Sequence, residues 1–185
     1  MIYLNDCIED FDLIRALPLL SEQRRNQCLK YKNELERKTS ALAYILLCEG
    51  LRQEYGINEK PVFKYGKHGK PSIVGHDDIH FNLSHCCNAV VCGISGRPIG
   101  VDVESLSSFD KSLVSYTMNP LEQERIMCSP RTDIEFIRLW TMKEAVLKLL
   151  GKGICCDMTT ILTGKEPVST VVNLEKGYVY SVAFG

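Results

Sequence analysis

The sequence predicts an α+β protein built as two lobes that share one cleft. Three observations predict it. Each half offers one long helical pattern, residues 32–55 in the first and 133–150 in the second. Each half also offers short strand-like runs bounded by Gly, Pro and Asn. No low-complexity linker divides the chain, and an apolar run holding two acids, Ile99-Gly100-Val101-Asp102-Val103-Glu104, lies near its middle. The lobes are placed at residues 1–98 and 99–185. A chain of 185 residues is long enough for one large domain or two small lobes with a real core.

Composition narrows the class. Hydrophobic residues make up 45% and charged residues 24%, ordinary for a globular protein. The formal net charge of -1 gives no bulk basic field, so neither nucleic acid nor a membrane surface is an expected partner, and any basic site must be local. No apolar run approaches the roughly 18 residues of a transmembrane helix. Met1 to Asp6 carries neither a basic n-region nor a signal-like apolar stretch, so a cytoplasmic location is expected. Nine cysteines include the adjacent pairs Cys86-Cys87 and Cys155-Cys156 but no CxxC. Buried reduced thiols are expected, not a structural zinc.

Residues 2–4 read as a strand, and 10–20 as a short helix or loop ending near Pro18. Ser21 has N-cap character for the polar segment that follows. Leu35, Leu42, Ile45 and Leu46 recur at helical spacing, and Gly56 is the C-cap of that longest helix. Pro61 to Tyr65 reads as a strand. Gly66-Lys67-His68-Gly69-Lys70-Pro71 reads as a turn, either an exposed hairpin tip or a phosphate contact, since glycine permits close backbone approach and lysine brings charge. Residues 79–83 and 89–94 form a hairpin around the turn Ser84-His85-Cys86-Cys87-Asn88. Asn119-Pro120-Leu121-Glu122 opens a helix, with Asn as cap and Pro at the first position. The tail holds strand-like runs at 159–162, 168–174 and 178–184.

In the acidic strand, side chains alternate faces, so Asp102 and Glu104 point the same way. Two adjacent carboxylates repel, and burial raises the cost; a hard divalent cation bound through oxygen relieves it. An edge strand with a solvent-facing polar side is the competing reading. In the second long helix, Leu139, Met142, Val146, Leu149 and Leu150 form a core stripe. Trp140, Glu144 and Lys148, spaced by four, form another. A surface Glu–Lys pair is common, but a tryptophan on the same stripe points to a covered one. If Glu144 joins Asp102 and Glu104, three oxygen donors leave room for a phosphate oxygen and water on Mg²⁺.

Four stretches stand in one order: Gly69-Lys70-Pro71, Phe81-Asn82-Leu83-Ser84-His85, Ile99 to Glu104, and Trp140-Thr141-Met142-Lys143-Glu144-Ala145-Val146-Leu147-Lys148-Leu149-Leu150-Gly151-Lys152-Gly153. In these the sequence resembles the 4'-phosphopantetheinyl transferases of the longer, single-chain type that activates peptide and polyketide synthetases. The resemblance covers residues 20–154. It implies two similar α+β lobes related by pseudo-twofold symmetry, with coenzyme A in the cleft between them. It also implies Mg²⁺-dependent transfer of 4'-phosphopantetheine from coenzyme A to a serine of an apo acyl or peptidyl carrier protein, with 3',5'-ADP leaving.

By the same resemblance, Asp102, Glu104 and Glu144 fall on the Mg²⁺ ligands. Lys148 falls on the lysine that contacts the phosphates and steadies the leaving group, and Glu122 near the acid that deprotonates the serine. Glu122, Glu144 and Lys148 are thus the catalytic candidates. Ser84 and His85 fall on the pair near the 3'-phosphate and diphosphate, and Lys70 on a basic residue lining that pocket. Lys143 matches the first lysine of its motif and joins the coenzyme contacts. Arg24 and Lys38 lie near basic positions that contact the nucleotide. Two features depart from the family: a short tail after Gly153, which implies a trimmed second sheet, and Cys86-Cys87 where small or polar residues are usual. Paired lobes imply a monomer. A metal-dependent phosphohydrolase acting on another diphosphate and a non-catalytic carrier-binding module are the alternatives. Asp102→Ala and Glu144→Ala are expected to abolish transfer and leave the fold near intact.

Overall fold

Two three-stranded antiparallel sheets, repeating one topology, form the middle of the molecule. The computed structural model describes residues 1–66, 68–107, 111–151, 157–162 and 166–185. The first half runs β1 (Ile2–Asn5), α1 (Leu13–Ala16), α2 (Glu22–Lys30), α3 (Glu34–Tyr55), β2 (Phe63–Tyr65), β3 (Pro71–Ile73), β4 (His80–His85) and β5 (Val90–Ser95). The second runs β6 (Ile99–Ser105), α4 (Lys111–Thr117), α5 (Pro120–Cys128), α6 (Thr132–Leu150), β7 (Val168–Asn173) and β8 (Tyr178–Phe184). The sheets are ordered β1-β5-β4 and β6-β8-β7, with β2 and β3 as a separate hairpin. Each half is therefore a strand, a long helix and a hairpin whose last strand takes the centre of the sheet. This is a mixed α+β architecture.

Local chemistry fixes the element ends. Ser21 Oγ accepts from the Arg24 N–H to start α2, and Asn33 does the same for α3 through Leu35. Gly56 ends α3 in the left-handed conformation at φ 67°, where a side chain is strained. In α5, Asn119 and Glu122 form a reciprocal capping box behind Pro120.

Alternation along the strands then sets the layers. On β5, Val90, Cys92 and Ile94 pack with Leu42, Leu46 and Leu47 of α3. Val91, on the opposite face, packs with Val101, Val103 and Val182 of the second sheet. The far side of that sheet is covered by α6, through Ala145 and Val146 against Ala183 and through Phe136 and Leu139 against Val179. The order is helix, sheet, sheet, helix. Among the described residues, no helix is long and apolar enough to cross a membrane.

Several details differ from the sequence expectation. Ser84 and His85 belong to β4 and not to the turn, because both continue the ladder to β5. Pro71 to Ile73 forms a strand, since it pairs with β2. Residues 158–160 make a 3-10 turn instead of a strand, opened by the Asp157 side chain. Helix α6 is buried almost all round: Thr141 and Lys143 are as buried as Leu139, while Leu150 is half exposed. Of the seven described cysteines, all free, Cys28 and Cys92 are buried, but Cys7, Cys87 and Cys128 are exposed. Lys67, the 108–110 segment, the Lys152-Gly153 end of the long motif, Cys155-Cys156 and Gly164 lie outside the described residues.

Candidate active site

Strand β6 is an edge of its own sheet, yet it is not open to water. Asn82 Oδ1 accepts from the Val101 N–H at 2.8 Å, and Ser84 Oγ accepts from the Val103 N–H at 3.2 Å. Side chains of β4 thus stand in for a missing backbone ladder and close the free edge. On the other face, a Cβ at Gly100 would lie 2.0 Å from the Ala145 carbonyl oxygen and 2.4 Å from the Leu149 nitrogen. Helix α6 lies directly on this glycine. By the two-residue period, Asp102 and Glu104 share the face that α6 covers. Gly100→Ala is expected to push α6 off the strand and lower stability by about 3 kcal/mol, measured by denaturant unfolding. An unchanged midpoint would contradict this packing.

Asp102, Glu104 and Glu144 come together here with Lys148. Asp102 is 3% exposed and Glu144 7%. Asp102 Oδ1 accepts from Lys148 Nζ at 2.6 Å and from Ser84 Oγ at 2.9 Å. Lys148 Nζ also donates to Ser84 Oγ at 2.9 Å. Asp102 Oδ2 and Glu144 Oε1 are buried and have no hydrogen-bond partner. Burial raises the Glu144 carboxyl above its ordinary pKa, and the Asp102 charge adds to this, while Lys148 pulls it down. Glu104 is raised in the same way, with Lys148 and a hydrogen bond from the Trp140 indole opposing. One ammonium facing three carboxylates leaves two negative charges uncompensated when all are ionised. Hard oxygen donors, two of them buried and idle, fit a hard divalent cation. Among the described residues, however, no three His, Cys, Asp or Glu side chains already form a metal cage, and Lys148 holds the near oxygen of Asp102.

The other predicted cations divide into groups. Lys70 caps α6: its ammonium donates to the carbonyls of Lys148 at 2.7 Å and Leu149 at 2.9 Å, and reaches that of Ile99 at 3.4 Å. A cation at a helix C-terminus is favourably placed. Lys70 and Lys148 line a cavity of about 200 Å³ together with His68, Asn82 and Leu83. His85 ends β4; its pKa is lowered by partial burial of the ring, then by the Lys148 and Arg24 charges, with Glu36 opposing. Arg24 therefore belongs to the same positive neighbourhood. Its Nη2 donates to the Ser40 carbonyl at 2.9 Å, while Arg24 Nε and Ser40 Oγ are buried and idle. Lys38 stands apart, 3.6 Å from Glu34, on a second cavity of about 530 Å³ that Cys87 also lines. Lys143 and Glu122 form a buried pair at 2.6 Å.

Sequence reasoning missed Ser40, the cap made by Lys70, and the reason for Gly100. A hydroxyl within a helix, weakly unfavourable there, is the only local trace of the first. The other two arise from contacts across 78 and 45 residues of chain, for which no local pattern exists.

Residues 98–182 match the family model of the 4'-phosphopantetheinyl transferase superfamily. The chain is 31% identical over 158 residues to the 4'-phosphopantetheinyl transferase gsp of Aneurinibacillus migulanus, covering 83% of this chain and 65% of that protein. It is 27% identical over 144 residues to a 4'-phosphopantetheinyl transferase of Bacillus subtilis, covering 76% and 64%. It is 36% identical over 115 residues to the 4'-phosphopantetheinyl transferase HetI of Nostoc, covering 57% and 48%. The chain spans a little under two thirds of the length of the first two relatives.

Proposed function

We propose that the chain, as a member of the 4'-phosphopantetheinyl transferase superfamily that it resembles, moves the 4'-phosphopantetheine group of coenzyme A to a serine of an apo carrier protein and releases 3',5'-ADP. The observation that carries the reading is the pair of idle buried oxygens, Asp102 Oδ2 and Glu144 Oε1, on facing surfaces of β6 and α6. Asp102, Glu104 and Glu144 would hold Mg²⁺, which supplies a Lewis acid to the diphosphate when bound. Lys148, at the mouth of this cluster and 30% exposed, brings a cation to the phosphates and to the charge that develops on the leaving group. Ser84 holds Lys148 and Asp102 in register. Arg24, Ser40 and His85 offer donors to a further phosphate, the 3'-phosphate of the coenzyme. Lys70 keeps the end of α6, and so Lys148, in place. Lys38 contributes charge from the edge of the nucleotide side. The serine oxygen bonds to the β-phosphorus, the bridging P–O bond breaks toward 3',5'-ADP, and the serine proton passes to Glu122. Residues 1–98 and 99–185 act as the two lobes of one cleft, in a cytoplasmic monomer.

Chromatography of coenzyme A incubated with the protein tests the reaction class. The proposal expects 3',5'-ADP only when an apo carrier protein is present, one per carrier serine. Equal release without a carrier would make the protein a diphosphate hydrolase.

A further inference from the structure

Lys143 is the one buried cation among the described residues. It is 0% exposed, inside α6, one residue from Glu144. A buried ammonium is tolerated only when paired and fully hydrogen-bonded. Here all three of its N–H groups are spent: on Glu122 Oε2 at 2.6 Å, on the Met158 carbonyl at 2.7 Å and on the Thr117 carbonyl at 2.9 Å. No donor is left for a phosphate.

The consequence falls on Glu122. Its Oε2 takes a second hydrogen bond, from the Asn119 N–H at 2.8 Å. That oxygen is thereby committed, and Oε1 is left buried with no partner. The terminal torsion of a glutamate is broad and soft, so a lone carboxylate presents either oxygen. Two donors on one oxygen remove the choice. The same ammonium ties the last residue of α4, the first turn of α5 and the 3-10 turn at Met158 to one point on α6.

We infer that Lys143 is a positioning residue: it fixes Glu122 so that Oε1 is the atom that accepts the serine proton, and it does not touch coenzyme A. The inference rests on the transferase reading and assigns Lys143 a role distinct from the coenzyme contacts of its sequence motif.

Steady-state kinetics of four proteins test it: the parent chain, Lys143→Met, Glu122→Gln and the double variant, each checked by circular dichroism. Lys143→Met is expected to lower kcat about tenfold or more with KM for coenzyme A changed less than about twofold, and Glu122→Gln to lower kcat about a hundredfold. The double variant buries no lone charge and is expected to match Glu122→Gln within about twofold, because Lys143 acts only through that carboxylate. This comparison also decides the matter if Lys143→Met alone fails to fold. A raised KM for coenzyme A in Lys143→Met, or a double variant at least about tenfold slower than a folded Glu122→Gln, would overturn the inference and leave the transferase reading standing. Full activity in Glu122→Gln would overturn it as well. A parent chain without transfer would overturn both.

Discussion

Glu144→Gln is expected to lower transfer by at least about a hundredfold while leaving the protein as stable as before or more so. The change removes one idle buried oxygen of the candidate cation site and keeps the side-chain volume. Stability moves the other way because the carboxyl is held above its ordinary value of 4.5, by burial first and the Asp102 charge second. A carboxyl whose pKa is raised by folding binds its proton more readily in the fold than in the unfolded chain. Its contribution is therefore full below pH 4.5 and falls as pH climbs toward the raised value. The variant lacks that fall. Urea unfolding of both proteins across this range should give a flatter pH profile for Glu144→Gln, with the variant more stable above it. A variant that unfolds more easily at neutral pH would mean that Glu144 holds the structure together.

Asp102→Ala should abolish transfer as completely, but with a cost to the fold. Sequence reasoning expects the same outcome for both acids, since each relieves repulsion. The structure separates them. Asp102 Oδ1 is the acceptor for Lys148 and Ser84, and its loss leaves an ammonium and a hydroxyl without their shared partner. Lys148 is 30% exposed, so water recovers part of the loss. A decrease of about 2 kcal/mol is expected. Asp102→Asn, which keeps an oxygen for Ser84, should recover part of the stability and none of the transfer. Equal stability of Asp102→Ala and the parent would remove the Lys148–Asp102 pair from the description of the resting site.

Much of this arrangement is legible from residue types and spacing alone. The two-residue period puts Asp102 and Glu104 on one face, and the four-residue period puts Trp140, Glu144 and Lys148 on one stripe, which the structure covers. The caps at Ser21, Asn119 and Gly56 are local chemistry, so they are readable locally. What escapes the sequence is long-range. Nothing around Lys143 distinguishes it from a surface lysine; its burial is decided by α4, α5 and the 3-10 turn, which arrive from elsewhere in the chain. Gly100 is an ordinary strand glycine until α6 lands on it. Ser84 and His85 resemble turn residues by composition and become strand because β5 pairs with them. Tertiary pairing overrides local preference at such sites.

The intact mass of an apo carrier protein, after incubation with this protein, coenzyme A and Mg²⁺, decides whether the transfer takes place. A gain equal to one phosphopantetheine group is expected, lost when a chelator is added and restored by excess Mg²⁺. No gain with peptide-synthetase, polyketide and fatty-acid carriers alike, from a protein that is folded, would contradict it.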